Sequence, residues 1–107
     1  EMEVLGLKPD KYSLELGMHI KDGVIALTSG FTKLKTNPAA AAADAGTARY
    51  AERAVEKTYR RAIAELFQGD DFREIFRRRE IYRHLSNAAD RMAHCANTLH
   101  DIVVKMC

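Results

Sequence analysis

Three acids are spaced for joint chemistry. Glu52 and Glu56 stand four residues apart, so on a helix both project from one face. Each sits one position past an apolar seam residue, Ala51 and Val55. Asp90 sits one position past Ala89, in the same phase on another helical stretch. Helices packed along those seams bring the three carboxylates together. Clustered carboxylates repel unless a cation or a basic partner neutralises them. Hard oxygen donors, with His94 one turn beyond Asp90, suit a divalent or trivalent metal. The same spacing equally allows ordinary surface acids paired with Arg53, Lys57, Arg60 or Arg91. Around Asp90 runs a polar stripe of Ser86, His94, Asn97 and Asp101, bordering the apolar side of its helix.

Other chemistry finds less support. The run Arg77-Arg78-Arg79, with Arg73 and Arg83, offers an anion grip, but these side chains wind around a helix instead of forming one stripe. No aromatic platform interleaves with them, and the net charge of +2 gives no long-range attraction to nucleic acid. The expectation is a solvated face and no nucleic-acid partner. His19, His84 and His100 make no HExxH or Cys/His zinc spacing. There is no glycine-rich phosphate loop, and Ser13, Ser29 and Ser86 lack a partner base and acid. The chain is therefore read as a non-enzyme that requires no cofactor.

Three elements must position these groups. The longest stretch, about residues 71–105, has no Gly or Pro and carries apolar residues at Tyr82, Leu85, Ala89, Met92, Ala96, Leu99, Val103 and Met106. Gaps of three and four place them on one side of a helix. A second helix is expected over 38–67, with Asn37 as N-cap and Pro38 at the first helical position. Its seam is Ala48, Ala51, Val55, Tyr59, Ala62 and Leu66, and its alanine-rich opening is expected to bury little. Gly69 suits a left-handed C-terminal turn, and Asp70 or Asp71 caps the next helix. The first helix, about 10–35, starts at Asp10 and shows a stripe of Leu16, Ile20, Val24, Leu27, Phe31 and Leu34. Its Gly17, Gly23 and Gly30 either mark a weakly specified helix or permit close backbone approach. Short connections imply an all-α antiparallel three-helix bundle over 10–107, after a lead-in of residues 1–9.

With 107 residues, 47% hydrophobic and 30% charged, the chain has the composition of one soluble domain. No apolar run approaches the ~20 residues of a membrane span, and the start lacks the pattern of a secretory signal. Cys95 and Cys107 are twelve positions apart on one helix, about 18 Å, too far to pair. Reduced thiols and a cytoplasmic location follow as expectations, with Cys95 near the seam as a small core residue.

The segments AERAVEKTYRRAIAELF (Ala51 to Phe67) and REIYRHLSNAADRMAHCANTLHDIVVK (Arg79 to Lys105) together resemble the PhoU-like family. More narrowly, they are similar to the regulators that accompany Pit-type phosphate transporters. The ordered motif IYxxL…DR…AN…IVxK carries the likeness, which runs from about Arg49 to the end and is faint over 10–36. The resemblance implies one three-helix repeat, the carboxy-terminal of the usual two. It implies regulation of phosphate uptake through contact with a transporter or signalling protein at the cytosolic face of the membrane. It also implies E/D-x-x-x-D motifs able to hold iron, zinc or a similar metal. Glu52 and Glu56 match one such motif, with Glu for the usual Asp, and Asp90 matches the second acid of the other. Ser86 stands where that motif's first acid belongs, which removes a charged ligand. A lone repeat leaves apolar surface to be covered, so a homo-oligomer is expected.

Overall fold

Asp10 begins the first helix with a capping box. Its carboxylate accepts the Ser13 N–H at 2.8 Å, and its own N–H donates to Ser13 Oγ at 3.0 Å. The computed structural model describes residues 10–106 and folds them into α1 (Lys11–Lys33), α2 (Pro38–Leu66) and α3 (Phe72–Met106). The lead-in over 1–9 and Cys107 lie outside the described residues. Among those described there is no strand, and no helix is long and apolar enough to cross a membrane. Asn37 caps α2, accepting the Ala40 N–H at 3.1 Å, with Pro38 at the first turn. Asp71 caps α3, accepting the Arg73 and Glu74 N–H groups at 3.1 and 3.2 Å.

One expected turn is different. Gly69 does not adopt a left-handed conformation. The end of α2 tightens into short turns instead, with Gln68 N–H on Glu65 O and Gly69 N–H on Leu66 O at 3.1 and 3.2 Å. Those bonds satisfy terminal carbonyls without a positive φ.

The helices form an up-down-up rod of 55 × 23 × 16 Å in which every pair is in contact. Tyr12 of α1 bonds Glu65 of α2, whereas Gly30 lies against Ala41, as antiparallel neighbours require. α1 and α3 run parallel, with Asp10 on Tyr82 and Gly30 on Leu99. The core has two parts. One gathers Leu27, Ala41, Ala45, Ala48, Met92 and Leu99, and the other gathers Leu16, Val55, Ala62, Ile81, Tyr82 and Ala89.

The seams of α2 and α3 follow the periodicity, except that Met106 is 49% exposed at the end of the rod. The α1 seam does not. Val24 and Phe31 are exposed, and Gly23, Ala26 and Gly30 face inward beside Leu16 and Leu27. The reason is steric. A Cβ on Gly23 would stand 2.2 Å from Met92 Sδ, and one on Gly30 would stand 2.6 Å from Leu99 Cδ2. The missing side chains let α1 approach closely, and the added dispersion contacts offset the helix-propensity loss. Gly17 meets nothing within 4 Å and has no such role. The same packing overturns the expectation that the alanine-rich opening of α2 buries little: Ala41, Ala45 and Ala48 are fully buried. Small faces on both helices let the backbones come together. Cys95, expected near the seam, is exposed.

Candidate functional site

Because α2 and α3 are antiparallel and meet along their seams, residues one position past each seam border a common groove. Glu52, Glu56 and Asp90 line one cleft there, together with Tyr59, Arg60 and Ser86. Its floor is Val55 and Ala89, both fully buried, and its volume is about 420 Å³. The convergence inferred from phase is thus present in the fold.

The three acids differ in circumstance. Glu56 is half exposed and accepts from Arg60 Nη2 at 3.1 Å, one turn along α2. Asp90 is exposed. Glu52 is partly buried between them, and no hydrogen bond or ion pair engages it among the described residues. Burial pushes its carboxyl above the ordinary range, and the negative charges of Glu56 and Asp90 push it further, against a smaller opposing pull from Arg53. The groove therefore holds more negative charge than Arg53 and Arg60 offset, with Glu52 at its centre. Glu52 also lines an adjoining cleft of about 320 Å³ with Gly46, Arg49, Arg53, Ala93 and Asn97.

Of the weaker neighbours, Ser86 belongs to the first cleft and Asn97 to the second, while His94 lines neither and is exposed. The physical reason is helical drift. Steps of four residues advance about 40° past a full turn each time, so a second such step from Ser86 leaves the groove. Ala93, not His94, occupies the next groove position. Among the described residues no three His, Cys, Asp or Glu side chains make a group that could hold a metal ion.

The arginine run separates into different roles. Arg78 turns inward and is not open to an anion: Nη1 donates to Asp10 Oδ2 and Nε to Glu74 Oε1, both at 2.9 Å. Arg77 and Arg79 are exposed.

Sequence reasoning missed the cluster around Arg78. Asp10, besides capping α1, accepts the Tyr82 hydroxyl of α3. Burial alone would raise the Asp10 carboxyl. The Tyr82 hydroxyl, the Ser13 N–H and hydroxyl, and the Arg78 charge more than offset this and hold it below its ordinary range. Burial and the bond to Asp10 push the Tyr82 phenol well above its ordinary value. A cavity of about 330 Å³ adjoins this cluster, walled also by Tyr12, Glu65 and Ile75. Its polar groups are engaged with one another across the helix ends, so the cluster acts as a clasp. The one signal available in sequence was Asp10 as an N-cap.

Compared with protein-family models, with curated proteins and with solved structures, the chain finds no match.

Proposed function

We propose that this chain is a PhoU-like regulatory domain for inorganic phosphate transport, working without catalysis through contacts with a transporter or signalling protein at the cytosolic face of the membrane. The observation that supports this most directly is the negative groove between α2 and α3, where Glu52, Glu56 and Asp90 converge. Glu52 has no ion pair or hydrogen bond among the described residues and feels only a weak pull from Arg53, so a lysine or arginine of a partner would find a carboxylate able to accept it. A metal bridging the two helices would have to draw Glu56 off Arg60, whereas a partner's side chain can enter the groove as it stands. The motif resemblance over 49–105 supports the phosphate-transport assignment.

A homo-oligomer belongs to the same reading. α1 is apolar on two faces, and its outer face leaves Leu14, Met18 and Ile25 more than half exposed. A second copy covering that face would bury this apolar surface.

Affinity capture with a Pit-type phosphate permease in detergent tests the proposal. The wild-type chain is expected to be retained, and Glu52→Lys and Asp90→Lys variants to be lost. Equal retention of the variants, or no retention of the wild type, rejects it. A generic interaction module with no phosphate role is the second reading; it is favoured if α1 directs self-association while permease capture fails.

A further inference from the structure

We propose that the flank of α3 nearest the α2–α3 loop docks on an anionic lipid bilayer. Three phenylalanines stand out at this end of the rod: Phe67 at the close of α2 is 59% exposed, Phe72 is 84% and Phe76 is 62%. Phe72 and Phe76 are four apart and share the outward side of α3. Phenylalanine has no polar handle to justify such exposure in water, and the Phe72–Phe76 pair on one helix face is a feature of the kind that marks an interaction site. Around them the charge is basic. Residues 72–84 hold five arginines against two glutamates, whereas the whole chain carries a net charge of only +2. The exposed side of this stretch therefore carries a local positive excess.

The clasp decides which arginines face out. Arg78 is turned in toward Asp10 and Glu74, while Arg73 and Arg79 are exposed on the same stretch as the phenylalanines, and Arg83 is exposed but pairs with Glu80 at 3.7 Å. Asp71 spends its carboxylate on the N-terminus of α3. Asp70 is exposed at the loop, which keeps the loop apex off an anionic surface and makes the side of the helix the contact. Aromatic rings at the acyl boundary and arginines among the headgroups are the two components of interfacial binding. A nucleic acid fits less well, because the helix flank is convex and phenylalanine donates no hydrogen bond to a base edge. The inference stands apart from the acidic groove, since Glu52 lies fifteen residues along α2 from Phe67, about 22 Å away.

The chain contains no tryptophan, so Phe72→Trp supplies a unique fluorescent reporter. It is titrated with vesicles of phosphatidylcholine alone and with vesicles containing phosphatidylserine. A blue shift with the anionic vesicles only is expected. In vesicle sedimentation of the chain without the reporter, Arg73→Gln with Arg79→Gln is expected to lower partitioning about thirtyfold, at about fivefold per arginine. Phe72→Ser with Phe76→Ser is expected to lower it at least tenfold at unchanged charge. All four positions are exposed, so circular dichroism should show each variant folded. Emission that stays unshifted, a shift equal on neutral vesicles, or retention by a single-stranded RNA oligomer as strong as by the anionic vesicles overturns the proposal.

Discussion

Adding one methyl group at Gly30 and one at Gly17 should have opposite effects. Both glycines lie inside α1, where alanine is favoured over glycine by about 0.5–1 kcal/mol on backbone grounds alone. At Gly17 a new Cβ meets nothing within 4 Å, so Gly17→Ala should gain that amount outright. At Gly30 the new Cβ would lie 2.6 Å from Leu99 Cδ2 and 3.1 Å from Asp44 Cβ. Leu99 is fully buried and has no solvent-filled space to move into. Overpacking of this kind costs about 1–3 kcal/mol, which exceeds the backbone gain. Gly30→Ala should therefore be less stable than Gly17→Ala by about 1–3 kcal/mol. At about 4–8 °C per kcal/mol for a domain of this size, the two melting midpoints should separate by at least several degrees. Thermal unfolding followed by circular dichroism, with urea titration to verify an unchanged slope, measures this. If both variants stabilise equally, α1 does not pack through its glycine face and the arrangement of the bundle is wrong.

Two further outcomes concern the charged clusters. Asp10→Ala removes a helix cap, leaves the hydroxyl of buried Tyr82 without its acceptor and leaves Arg78 with Glu74 alone, so a loss of about 2–4 kcal/mol is expected in urea unfolding. Because the Asp10 carboxyl is held below its ordinary range, its contribution is full above the ordinary carboxylate pKa and disappears as pH falls through the lowered value. Wild-type and Asp10→Ala stabilities should therefore converge in acid. Glu52 has the opposite sign. Its carboxyl is raised, so ionising it weakens the fold as pH climbs through and above the ordinary glutamate range. Glu52→Gln should melt higher than wild type near neutral pH and lose that advantage in acid, as followed by melting midpoint against pH.

Much of the architecture could be read from large apolar residues alone. On α2 and α3 one apolar side dominates despite exposed Tyr50, Phe72, Phe76 and Val104, so Val55, Ala62, Ala89, Met92 and Leu99 lead directly to the core. On α1 two apolar faces compete, and counting large residues selects Val24 and Phe31, which end up exposed. What decides the burial of α1 is how closely Gly23 and Gly30 can approach Met92 and Leu99, and that depends on a neighbour helix, not on local period. The acidic groove was legible because phase relative to a seam is a local property: Glu52, Glu56 and Asp90 hold equivalent positions. His94 was misplaced because steps of four drift where the groove follows alternating steps of three and four. The Asp10 clasp joins residues 68 and 72 positions apart, and no spacing rule reaches that far.

The convergence of three carboxylates on one groove is tested most directly by titrating the Glu52 side-chain carboxyl by NMR in the wild type and in Glu56→Gln and Asp90→Asn. Glu52 should titrate above the ordinary glutamate range in the wild type and move back toward it in each variant. An ordinary titration in the wild type, or one indifferent to both substitutions, would mean that the acids do not share a site.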